Sequence, residues 1–220
     1  MREYAASSSI STARSSTPID LIIFCFHETL HVLDLPPRSD EQILSEIGRP
    51  LHLQARDIDA DRAEEIFSLY QGLYEKHRER LMREFPGIRE VLEALLEGGY
   101  RVGVVTSKRS SSAGTDIKHL DLEHIFEVVI TADYTQRHKP DPEPVLEALQ
   151  RMGASREEAT YIGDSPYDLR CAHAAGVPAG AVEWGPFPRE SLLAEKPDYW
   201  ISQPSELLTL FPGVSPTHST

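Results

Sequence analysis

Apolar residues recur with two different periods along this chain, and the change divides it. Ile22, Ile23, Phe26, Leu30 and Leu33 follow one another at short, mostly three- and four-residue steps, the spacing of one helical face, so a helix is expected over 19–33. A second, over 39–47, has Ser39 as its cap and Asp40 and Glu41 in its first turn, and Gly48 and Pro50 close it. A third, over 60–83, carries Ile66, Leu69, Leu73 and Leu81 on a heavily charged background. After Phe85-Pro-Gly87 short apolar runs alternate with helical patterns. Strands are expected at 100–106, 126–131, 159–162, 180–184 and 199–202, and helices at 88–97, 112–119, 142–152, 167–175 and 204–211. Strands apolar on both faces and interleaved with helices specify an α/β fold with a doubly wound parallel sheet. The three leading helices then read as a small inserted cap, giving a cap over 19–84, a core over 85–212 and a loose tail over 213–220. Residues 1–18 are serine-rich and show neither period, and on composition alone they are expected to be disordered. No internal repeat occurs.

Composition narrows the classes of function. A chain of 220 residues that is 40% hydrophobic can bury one core with an inserted subdomain. A net charge of −13 with no clustered basic face argues against nucleic acid or an anionic membrane as partner, so an anionic small substrate must be held locally. The longest strongly apolar run, 21–26, is far shorter than the ~20 residues that span a bilayer. Two cysteines, Cys25 and Cys171, with no CxxC pair and no secretory signal, suggest a reduced cytoplasmic setting without a disulfide. A monomer or homodimer is the expected state.

Three segments at expected strand ends carry chemistry. Tyr161-Ile-Gly-Asp-Ser-Pro-Tyr-Asp168 runs from an apolar strand into two carboxylates, Val102-Gly-Val-Val-Thr-Ser107 ends in hydroxyls, and Arg137-His-Lys-Pro-Asp-Pro-Glu-Pro144 holds Lys139 among prolines. Each has an ordinary structural explanation: Asp164 or Ser165 caps a helix, Lys139 is a solvated charge, and Thr106 merely ends a strand. In an open parallel sheet, however, ligands sit beyond the carboxyl ends of the strands, where all three segments fall. Hydroxyls, an ammonium and paired carboxylates suit a phosphate together with Mg²⁺.

In this order the segments resemble the second, third and fourth motifs of the haloacid dehalogenase superfamily, over roughly 21–211, and most closely its phosphoglycolate phosphatase and pyrophosphatase group. The resemblance implies a Rossmann-like core with an inserted helical cap and a hydrolase acting on a small phosphorylated metabolite or pyrophosphate through an aspartyl-phosphate. It also implies roles for residues. Thr106 would hydrogen-bond a phosphoryl oxygen with Ser107 beside it, Lys139 would neutralise phosphate and nucleophile, and Asp164 would bind Mg²⁺ directly with Asp168 supporting the metal site.

The first motif of that family, Asp-x-Asp-Gly-Thr, is absent. Laying Cys25 and His27 over it leaves only 21 residues from His27 to Gly48, too few for a strand, a linker and a cap helix, and the helical period makes both helix residues. A codon-level reading explains the gap better. Residues Ser7 to Pro18 can be encoded so that the frame one base earlier spells Ile-Leu-Phe-Asp-Leu-Asp-Gly-Thr-Leu-Leu-Asp-Ser, and a compensated pair of frameshifts is the expectation. A transit peptide, suggested by Ser, Arg2 and Arg14, would still leave the domain without that motif. Without its nucleophile this polypeptide is expected to lack phosphatase activity and to have a weakened first strand. The alternative is a non-catalytic relative that binds a ligand or partner.

Overall fold

In the computed structural model, which describes residues 2–7 and 18–211, six strands form one parallel sheet. They are β1 (Arg2–Ser7), β2 (Tyr100–Val105), β3 (Phe126–Ile130), β4 (Tyr161–Gly163), β5 (Ala179–Val182) and β6 (Tyr199–Ile201), in the spatial order β3-β2-β1-β4-β5-β6. The reversal of order beside β1 is the switch point at which such sheets bind ligands.

Side-chain alternation explains why the strands read as continuous apolar runs. In β2, Val102 and Val104 enter one core with Leu92, Leu95, Ile162 and Val182, while Val105 enters the other with Ile130, Leu149, Tyr161 and Leu169. Both faces are covered by helices, α5 (Ile88–Glu97) lining the first core and α7 (Glu143–Met152) and α8 (Pro166–Ala175) the second. Complete burial of a leucine such as Leu169 contributes about 1.5–3 kcal/mol. The remaining core helices are α6 (Ser110–His119), α9 (Arg189–Leu193) and α10 (Leu207–Leu210). α9 was not expected from the pattern, being too short to show a period, while the helix expected over 204–211 opens as a 3₁₀ turn at Pro204–Glu206 and continues as α10.

Among the described residues four helices, not three, lead into the core: α1 (Pro18–Val32), α2 (Asp40–Ser45), α3 (Leu51–Ile58) and α4 (Ala63–Leu81). α1 lays Leu21, Cys25 and Phe26 against Tyr70 and Tyr74 of α4, with the Phe26 and Tyr70 ring centres 4.8 Å apart. α2 is shorter than expected but capped as expected, Ser39 accepting from the Gln42 N–H while the Gln42 side chain accepts from the Ser39 N–H. α3 begins directly after Pro50 and buries Ala55 against Ile66 and Phe67. Cys25 is fully buried within α1, and burial pushes its thiol up to about 12, which removes it as a nucleophile. Cys25 and Cys171 lie in different cores and are free.

Disorder across 1–18 needs correcting over part of its length. Arg2 to Ser7 pairs with Tyr100 to Val105 on one side, and Ala5 and Ala6 pair with Tyr161 and Ile162 on the other. The edges of β2 and β4 otherwise present unpaired N–H and C=O groups in the middle of a buried sheet, and that demand recruits the nearest extended segment despite its weak strand propensity. The shifted-frame motif falls largely on residues 8–17, which lie outside the described residues. No helix among the described residues is long and apolar enough to cross a membrane.

Candidate active site

Three strand ends build the site. Beyond β2, the Thr106 N–H donates to the Ile130 carbonyl at 2.8 Å, and the Lys108 N–H donates to Thr106 Oγ1 at 3.2 Å. The Thr106 oxygen is thus used as an acceptor, which leaves its own proton to donate elsewhere. Ser107 Oγ donates to the Gly48 carbonyl, tying the cap to the core. Gly48 stands at φ +100°, a left-handed conformation that suits glycine.

Beyond β4, Asp168 is the most heavily bonded carboxylate of the site. Ser165 is the N-cap of α8 and makes a reciprocal pair with it: Ser165 Oγ and N–H donate to Asp168 Oδ2 at 2.6 and 3.2 Å, and the Asp168 N–H donates back to Ser165 Oγ. Its other oxygen accepts from Lys139 Nζ at 2.6 Å and from the Tyr161 hydroxyl at 3.1 Å. The Lys139 and Asp168 side chains are each 1% exposed, so this is a dry ion pair, not a surface one. Lys139 also shares a small cavity wall with Thr106 and Ser107, which brings the second and third segments together.

Asp164 lines a second cavity, between cap and core, a space of about 150 Å³ that Thr106 and Ser107 also line. Burial, and next the neighbouring Asp168, push its carboxyl up to about 7, with Lys139 working in the opposite direction. Asp164, Asp168 and Lys139 together leave one negative charge in excess in a desolvated place. That excess is present only when Asp164 is ionised. Among the described residues no three His, Cys, Asp or Glu side chains gather around one point. Mg²⁺ does not need them, since it keeps several waters and takes one or two carboxylates plus substrate phosphate. The donors present fit it, with Asp164 as the available ligand and Asp168 held back by Lys139, Tyr161 and Ser165.

Several contributors were not legible beforehand. Gly163 and Gly185 have no side chain because Asp168 and Asp164 respectively occupy the space a Cβ would need. Gly185-Pro186, three residues beyond the end of β5, was the only sequence signal for the latter. We expect Gly185→Ala to displace Asp164 and weaken Mg²⁺ binding at least tenfold in a calorimetric titration, with circular dichroism unchanged; affinity within twofold of wild type would contradict the crowding argument. Tyr161 read only as a strand residue, and Thr135, whose buried hydroxyl has no partner among the described residues, lines the small cavity beside Thr106 and Lys139. A further group links cap to core at the cavity wall: Lys108 Nζ reaches Asp116 at 2.5 Å and the Tyr74 hydroxyl at 2.8 Å, while Arg78 Nε lies 2.8 Å from Asp116 as an ion pair. Burial opposes the Lys108 charge, but Tyr74 and Asp116 outweigh it and its pKa is raised.

Comparison with known proteins agrees with this architecture. A family model described as haloacid dehalogenase-like hydrolase matches residues 18–182. The chain is 39% identical over 173 residues to a Caldanaerobacter subterraneus subsp. tengcongensis protein provisionally named pyrophosphatase PpaX, covering 79% of each. It is 35% identical over 191 residues to pyrophosphatase PpaX of Bacillus cereus (strain AH820), covering 87% of this chain and 88% of that one. A solved haloacid dehalogenase-like family hydrolase from Streptococcus pneumoniae superposes with a TM-score of 0.81 at 26% identity, over 96% of this chain and 98% of the other.

Proposed function

Because this chain belongs to the haloacid dehalogenase-like hydrolase family, we propose that its cavity is a Mg²⁺-assisted phosphoryl site for a small phosphorylated metabolite or pyrophosphate, which this polypeptide binds without hydrolysing. The observation that carries the binding half is the buried Lys139–Asp168 pair next to Asp164, within reach of the Thr106 hydroxyl.

Each residue has a task that follows from its surroundings. Thr106, whose oxygen is already engaged by the Lys108 N–H, directs its proton to a phosphoryl oxygen. Lys139 brings a fixed positive charge that costs no reorganisation, because Asp168 and the sheet already hold it in place. Asp168 acts as a positioning residue for Lys139. Asp164 holds Mg²⁺, which when bound supplies further neutralisation of phosphoryl charge.

Hydrolysis in this family starts from an aspartate directly after the first core strand. Here β1 ends at Ser7, opposite Val105 and one residue short of the level of Thr106, and between Glu3 and Asp20 the sequence contains no carboxylate. Phosphoryl transfer cannot proceed without a nucleophile, however well the charge is neutralised. The purified chain is therefore expected to bind Mg²⁺ and inorganic phosphate yet to show no Mg²⁺-dependent turnover of p-nitrophenyl phosphate. Turnover near 1 s⁻¹ or above, roughly the lower end of the usual enzyme range, contradicts the inactive half of the reading. Sequencing the first twenty codons tests its origin: codons that do not spell Asp-x-Asp-Gly-Thr in the neighbouring frame remove the frameshift and leave a binding protein of hydrolase descent.

A further inference from the structure

Three permanent or near-permanent cations line the wall of the cavity between cap and core: Arg49, Lys108 and Arg109. Two of them are already matched. Arg49 lies between Glu46 and Asp57, and Lys108 lies on Asp116 and Tyr74. Arg109 differs. No carboxylate pairs with it among the described residues; its guanidinium carbon instead lies over the Phe67 ring of α4, 4.4 Å from the centroid. A contact with an aromatic ring does not use up the N–H donors of this exposed guanidinium, which can grip a phosphate or carboxylate with two parallel hydrogen bonds.

Its place in the chain is equally specific. Arg109 is the third residue beyond Thr106, so the two α-carbons are separated by no more than about 11 Å of chain. The intervening loop is pinned by the Lys108 carbonyl, which accepts from the Ala132 N–H at 2.8 Å. The start of α6 offers no competing anion site, since Asp133 already accepts from the Ser110 N–H and hydroxyl. Positive charge from Arg109 is also felt at His52 of α3, whose pKa is lowered by burial first, then by His138, Arg109 and Arg56.

We propose that Arg109 is a specificity residue that holds the second anionic group of a two-headed substrate, a phosphoryl group joined through a short bridge to another phosphoryl or to a carboxylate. Contact with Phe67 restrains the position of the guanidinium, and so sets which bridge lengths reach from Thr106 to Arg109. The inference rests on Thr106 and Lys139 forming the phosphoryl pocket.

Titration calorimetry with the full chain and Mg²⁺ separates the two ideas, using inorganic phosphate as the single-headed probe and methylenediphosphonate and phosphonoacetate as two-headed, non-hydrolysable ones. Wild type should bind at least one two-headed probe tenfold or more tightly than phosphate. Arg109→Gln should lose that preference, and Arg109→Lys should keep only part of it, because an ammonium cannot pair through two parallel bonds. Preference for methylenediphosphonate identifies a diphosphate substrate, and preference for phosphonoacetate a phosphorylated carboxylate; both support Arg109. If wild type binds phosphate and shows no preference, or Arg109→Gln weakens all three probes equally, Arg109 is not the specificity residue although the pocket stands. Wild type that binds none of them overturns the pocket and this inference together.

Discussion

Asp164→Asn should abolish the stabilisation of the folded protein by Mg²⁺ and, at pH 8, make the metal-free protein more stable than wild type. The two effects share one cause. In the folded, metal-free protein burial and Asp168 raise the Asp164 carboxyl from an ordinary value of 3.8 to about 7. Its neutral form is favoured by folding, so its contribution to stability is fully present below pH 3.8 and is lost as pH rises through about 7. Asparagine imitates the neutral form and removes that loss. It cannot replace the carboxylate as a hard anionic donor, and the linked gain from Mg²⁺, about 2.7 kcal/mol at a concentration a hundred times Kd, disappears with it. Thermal denaturation at pH 6 and pH 8, with and without Mg²⁺, reads all four states. An undiminished Mg²⁺ shift in the variant would show that the cation binds elsewhere.

Lys139→Met should cost about 3–5 kcal/mol in urea denaturation, one of the largest losses available to a single substitution here. Methionine fills much the same volume, so the loss is electrostatic: Asp168 keeps its bonds from Ser165 and Tyr161 but loses the Lys139 ammonium at 1% side-chain exposure. The double variant Lys139→Met with Asp168→Asn should recover much of the loss, because no buried charge is then left alone. A single variant that loses less than 1 kcal/mol would mean that water reaches Asp168 and that Lys139 is not held as rigidly as the proposed phosphoryl site requires.

The α/β alternation was legible because a strand buried on both faces must be continuously apolar, as Val102 to Val105 is, and an amphipathic helix must repeat every three or four residues, as α1 does. The capping of α2 by Ser39 was legible for a similarly local reason, since Gln42 stands three residues on. α3 was not. Its eight residues from Leu51 to Ile58 span barely two turns, and Pro50 reads equally well as the end of the preceding element. The strand at Arg2–Ser7 was hidden for a different reason: backbone pairing with β2 and β4, which no local pattern reports, places it there.

By itself, the sequence determined which chemical groups stand at the strand ends, Thr106, Ser107, Lys139, Asp164 and Asp168, because strand periodicity and motif order are properties of neighbouring residues. It also determined that no carboxylate lies between Glu3 and Asp20. Only the tertiary structure decided how those groups divide their work. Asp168 is committed to Lys139 while Asp164 is left with unbalanced charge, and Arg109 is left unmatched while Arg49 and Lys108 are paired. Ionic pairing and desolvation depend on distances between residues far apart in the chain, and those distances exist only once the sheet has brought the strand ends together.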